Sequence, residues 1–133
     1  MQLRGKQVLV TGGAGFIGSH LVDQLSECSV RVLDDLSTGK KENLAAAQAR
    51  SNVQFVEGDI RDRSLVAKLM RDTEVVFHLA CRGVRHSIGH PIESHQVNAE
   101  AALNLLEEAR RAGVERRLRV VLDAELDRLR DLV

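Results

Sequence analysis

Apolar positions along this chain fall into short runs separated by polar turns, and the runs alternate between two periods. "QVLVT" at 7–11, "VRVLD" at 30–34, "VQFVEGD" at 53–59 and "EVVFHLA" at 74–80 are brief, apolar and rich in β-branched residues, the pattern of strands buried on both faces. Between them the spacing changes to three and four. "FIGSHLVDQLSE" at 16–27 places Ile17, Leu21, Val22 and Leu25 on one helical face, and "DRSLVAKLMRD" begins with Asp62 in position to cap a helix N-terminus. A longer helix runs from Pro91 to Ala112 and stops at Gly113, where a C-terminal glycine belongs. Strands alternating with helices in this order predict an α/β fold, a doubly wound parallel sheet with helices on its faces. Residues 82–90 read as a solvated loop, and Pro91 keeps His86, His90 and His95 from lining up on one helix as a metal site.

Composition narrows the reading. The chain has 133 residues, 44% of them hydrophobic, enough for one core and too few for two. Nineteen basic and 19 acidic side chains cancel, so no charge footprint calls for nucleic acid or an anionic membrane. No apolar stretch approaches the roughly 18 residues of a membrane span, and the glycines at 12 and 13 interrupt any signal-like run, so a cytoplasmic protein is expected. Cys28 and Cys81 show no metal-binding spacing and are expected to be reduced, half-buried thiols. His20 and His78 are expected to pack rather than to act as acids or bases.

The chemistry is concentrated in "VTGGAGFIGSHLV" at 10–22. Gly12, Gly15 and Gly18 follow a strand and open a helix. Glycines so placed allow a tight turn, close approach of a pyrophosphate to the backbone, and close packing of helix on strand. A bound phosphate then meets free N–H groups and the positive end of the helix dipole. About 20 residues on, the second strand should end in an acid for the adenosine ribose, and Asp34 stands there. Its charge would repel a 2′-phosphate, which favours NAD over NADP.

"TGGAGFIGSHLV", "LDDLSTG", "EGDIRD", "FHLA" and "NLLEEARRAGVER", in this order, resemble the N-terminal half of the extended short-chain dehydrogenase/reductases, in the branch of NAD-dependent epimerases and dehydratases that act on nucleotide sugars. The resemblance spans residues 1–116 and implies a truncated Rossmann-like domain. It further implies that Phe16 and Ile17 offer N–H groups to the pyrophosphate and that Asp34 and Asp35 take the adenosine ribose. Ser37, Thr38 and Gly39 would lie beside that ribose, Asp59 and Ile60 would flank the adenine, and Leu79, Ala80 and Cys81 would line the nicotinamide side. Asn98, matching an asparagine at the start of the long helix, would be a further cofactor contact, Ala101 and Ala102 replace the family's Gly-Thr, and Ser87 resembles a loop serine near the sugar nucleotide.

The family's reaction needs a tyrosine as general acid/base and a lysine four residues later. The chain contains no tyrosine, and its last lysine is Lys68, so no catalytic residue is assigned and hydride transfer is not expected of these residues. After "RAGVER" the family continues with a strand resembling "FVYVSSS", whereas this chain has "RLRVVLDAELDRLRDLV". Loss of two thymines from a Phe codon in GC-rich DNA would convert the one into Arg-Arg-Leu-Arg-Val-Val-Leu, the residues at 116–122, so 117–133 read as an out-of-frame tail or, alternatively, a designed one. The tail is expected to be an amphipathic helix, or an edge strand followed by a helix capped at Asp123. Its apolar stripe and the long helix predict a homodimer. Three classes stay open: an NAD(H)-binding domain without catalysis, an enzyme half completed by another chain, and a self-associating structural module.

Overall fold

Four parallel strands carry the apolar runs read from the sequence: β1 (Gln7–Thr11), β2 (Ser29–Asp34), β3 (Val53–Glu57) and β4 (Val75–His78), in the spatial order β3-β2-β1-β4. In the computed structural model, which describes residues 3–113, the helices are α1 (Phe16–Gln24), α2 (Ala45–Gln48), α3 (Arg63–Met70), α4 (Val84–Gly89), α5 (Pro91–His95) and α6 (Ala101–Arg111). The readings made for 117–133 lie outside the described residues.

Successive side chains on a strand point to opposite faces, so each strand feeds two cores. On one face Val8, Val10, Val30, Val32 and Phe77 pack with Leu21 and Val22 of α1 and with Leu44 and Ala47. On the other, Leu9, Leu33 and Val76 meet Val66, Leu69 and Met70 of α3 and Ala101, Leu105 and Ala109 of α6. The result is the expected doubly wound sheet between two helical layers. The strand order makes β1 central: the chain moves outward to β3 and then crosses to the far side of β1 for β4. At such a switch point the loops beyond the strands' C-terminal ends diverge and leave a crevice.

Several local expectations change. The first helix ends at Gln24, not Glu27, because Arg50 donates to the carbonyls of Val22 and Asp23, and Asn52 to those of Leu25, Ser26 and Cys28. Side chains thus take the place of a further helical turn. Leu21, Val22 and Leu25 are buried as read, but Ile17 is 41% exposed at the helix start. Residues 84–89, read as loop, form α4, which buries no residue of its own, so it leaves no apolar periodicity in the sequence. The long helix is continuous from Pro91 to Arg111 but widens into a π turn at Gln96–Glu100, and Gly113 ends it at φ +75°. Asp62 caps α3 as expected, accepting from Leu65 N at 3.0 Å. The two thiols are not half-buried: Cys28 is buried, donating to Leu3 O, and burial raises its pKa, while Cys81 is exposed.

His78, at the end of β4, is buried with Nδ1 2.7 Å from Thr11 Oγ1, and Thr11 Oγ1 also accepts from Ala80 N. The Thr11 hydroxyl proton is therefore free to bond Nδ1 of a neutral imidazole. Burial lowers the His78 pKa from its ordinary 6.5. The unfolded chain then binds the extra proton first, so this contribution to stability is intact above pH 6.5 and is lost as pH falls below it. The melting temperature should drop between pH 7 and 5.5, and the drop should shrink in His78→Gln. An equal drop in both proteins would refute the assignment.

Candidate cofactor site

The turn from β1 into α1 is closed by backbone contacts that sort the three glycines by role. Gly12 has φ +72°, and a Cβ there would lie 2.6 Å from Ala80 N, so it is glycine both for conformation and for the close pass of the β4 loop. Gly18 faces the backbone of Gly12 and Gly13, with no room for a methyl group. A Cβ on Gly15 would meet only Gly12 O, at 3.3 Å. Gly15 is therefore the glycine whose open side is left to a ligand. It also stands at the N-cap of α1, where no side chain caps the helix and no acid occupies the first turn. The first N–H groups of α1 are thus available for an anion.

Beside this turn, Asp34 closes β2. Its carboxylate is buried and accepts from Ala14 N at 2.8 Å and Leu36 N at 2.9 Å. Leu36 adopts φ +57°, turning the chain back so that Gly39 packs on the Ala14 backbone. Ala14 O is then closed by Lys40 N and by the Asn43 side chain.

These elements surround a cavity of about 290 Å³, near the lower end of the roughly 300–1,000 Å³ typical of ligand pockets. Most of the residues expected from the sequence meet there. Gly12, Gly15, Phe16, Ile17 and Gly18 supply one wall, Asp34, Asp35, Ser37 and Thr38 the second, and Ile60, Leu79, Ala80 and Cys81 are among the other lining residues. Gly39, Asp59 and Asn98 are not on its wall. Gly39 packs behind the glycine turn, and Asp59 is held by Arg61, which lowers its pKa. Asn98, in the π turn, clips the backbone of Arg82, accepting from Arg82 N at 2.7 Å and donating to Arg82 O at 3.0 Å.

Arg82 lines the cavity and was not singled out from the sequence. No local pattern marks it, since Arg85 and His86 follow within four residues. Its guanidinium donates to Asp35 Oδ2 at 2.8 Å, to Ser37 Oγ, and to Glu93 Oε1 at 3.3 Å. Burial alone would raise the Asp35 pKa, but the bonds from Arg82 and Ser37 hold it below the usual carboxylate range. Glu93 also contacts His86 at 2.9 Å, which lowers its pKa. His86 stacks on His90 with ring centroids 4.7 Å apart, on a helical turn that stays at the surface.

Fold and site define a Rossmann-like domain with its glycine turn at the sheet's switch point. The sequence profile of the family described as GDP-mannose 4,6 dehydratase matches residues 9–123. UDP-glucose 4-epimerase of Mycolicibacterium smegmatis is 44% identical over 114 residues, 83% of this chain and 36% of that protein. Among solved structures, dTDP-glucose 4,6-dehydratase DesIV of Streptomyces venezuelae, with NAD and TYD bound, has a TM-score of 0.75 and 39% identity over 80% of this chain and 36% of its own. UDP-glucose 4-epimerase of Thermus thermophilus, a complex with NAD, gives 0.71 and 42% over 81% and 35%. The chain belongs to this epimerase/dehydratase family of extended short-chain dehydrogenase/reductases. It spans about a third of the length of the curated relatives it matches.

Gly12→Ala and Gly18→Ala should each destabilise the fold by about 2 kcal/mol or more, since backbone must move to admit the methyl. Gly15→Ala should cost about 1 kcal/mol at most. Urea unfolding of the three variants checks the order, and a Gly15→Ala as damaging as Gly18→Ala would refute the division of roles.

Proposed function

We propose that these residues form an NAD(H)-binding domain of a nucleotide-sugar epimerase or dehydratase, holding the cofactor's diphosphate on the first turn of α1 and its adenosine between β2 and β3. The observation that carries the reading is the uncapped start of α1 beside Gly15, the one glycine of the three with open space on its pocket side. NAD, when bound, would supply a hydride acceptor. The chain's own residues would bind and orient it: the N–H groups of Phe16 and Ile17 the diphosphate, and Asp34 the adenosine ribose. The Asp34 carboxylate spends two bonding sites on Ala14 and Leu36 and has about four in all, so ribose hydroxyls can share it. With no tyrosine among the 133 residues, these residues are not proposed to carry the hydride transfer themselves. The named relatives' solved complexes with NAD support the cofactor.

A second observation favours self-association. Leu103 and Leu106 lie exposed on α6, 65% and 43% respectively, away from the side that buries Leu105 and Ala109. We propose that copies pair through this helix.

Calorimetric titration with NAD should give saturable binding that Gly15→Val abolishes. Asp34→Asn, which keeps the shape but can no longer accept both N–H bonds through a full carboxylate, should weaken it by about tenfold or more, the worth of one charged hydrogen bond. Absence of any heat or thermal shift at millimolar NAD would overturn the reading. Light scattering at micromolar concentration should report a dimer that Leu103→Glu separates; a monomeric wild type would refute the pairing.

A further inference from the structure

Arg82 occupies a place that its surroundings do not explain as packing alone. The strand order puts β1 between β2 and β4, and all three run the same way. A link from the loop after β4 to the loop after β2 must therefore cross in front of the glycine turn that follows β1. Arg82 makes that link, binding Asp35 and Ser37 on the far side. Its side chain is only 9% exposed, although it lines the same cavity as Gly15, Phe16 and Ile17. The main chain at 82 is fixed by Asn98, so the long side chain is the part able to move. One guanidinium is shared by two carboxylates, Asp35 at 2.8 Å and Glu93 at a looser 3.3 Å, and Glu93 is itself held by His86.

We propose that Arg82 is a latch across the pocket: it exchanges Asp35 for the diphosphate group of a ligand seated on the first turn of α1, and so sets the affinity for phosphate-bearing ligands. A guanidinium fork fits phosphate oxygens as well as carboxylate oxygens and forms strong paired bonds with either. The exchange swaps one anionic partner for another. It also releases Asp35 at the moment a ribose hydroxyl would need an acceptor, coupling the two halves of one recognition event. The inference rests on the proposed binding of a dinucleotide at this site, but its test does not require that ligand.

The probe is inorganic pyrophosphate, which carries the diphosphate and no ribose. The full chain is titrated by calorimetry and by ¹⁵N NMR of the arginine Nε–H groups. Arg82→Gln should weaken pyrophosphate binding by about tenfold or more, as loss of a charged hydrogen bond requires. Asp35→Asn should strengthen it, because the competing carboxylate is gone. Arg85→Gln, which removes an exposed cation nearby, should leave it unchanged. The Arg82 Nε–H resonance should move together with the Phe16 and Ile17 amides. If Arg82→Gln fails to fold, Arg82→Lys, which keeps the charge and loses the fork, should show an intermediate affinity. The latch is overturned if wild type does not bind pyrophosphate, if Arg82→Gln and Arg85→Gln have equal effects, if Asp35→Asn weakens binding, or if the α1 amides shift while Arg82 does not. A chain that answers pyrophosphate but not NAD keeps the latch and fails the cofactor reading. NAD binding undiminished in Arg82→Gln does the reverse.

Discussion

The site depends on a buried carboxylate at the end of β2. Asp34 accepts from Ala14 N and Leu36 N, and both bonds are made where little water could replace them. Burying a charge is expensive unless its hydrogen bonds are supplied, so the loop after β1 and the loop after β2 must each bring an N–H to the same point. That one requirement fixes the glycine turn against β2 and drives Leu36 into a left-handed turn. It also brings Gly39 onto the Ala14 backbone. The cavity is the space left in front of these three segments.

The sheet makes this arrangement stiff. Leu9 of β1 and Leu33 of β2 pack on α3 and α6, while Val10 and Val32 pack on α1. A shift of either strand end would disturb two cores at once, and close-packed interiors resist that. The π turn fits the same logic at the other wall. It sits in the helix that packs beneath the β4 loop and carries Asn98, which fixes the backbone of Arg82. Wide turns of this kind often occur where a helix serves a site.

The strands, the glycine turn and the N-cap of α3 were legible because each is dictated within a few residues: short continuous apolar runs, Gly12 with Gly15 and Gly18, Asp62. Helix α4 was not, because none of its residues is buried and Gly83 and Gly89 bracket it as if it were loop. The early end of α1 was not, because the groups that end it, Arg50 and Asn52, lie more than 20 residues away. The contact between Asn98 and the Arg82 backbone was not legible either, because the two residues stand 16 positions apart. Arg82 itself escaped notice because no local pattern marks it. Its partners Asp35, Ser37 and Glu93 come from two distant segments and meet only once the sheet has formed.

The three acids at this end of the sheet carry different electrostatic weight. Asp35 is neutralised by Arg82, and Asp59 by Arg61 in a fork of short bonds. Asp34 is bonded only by backbone N–H groups, and no cation pairs with it among the described residues. Dipoles stabilise a charge without cancelling it, so its field at the pocket survives where those of its neighbours are offset. The preference for NAD over NADP that we propose therefore rests first on Asp34, with Asp35 adding its charge only once Arg82 has left it. While paired with Arg82, Asp35 contributes little to that field.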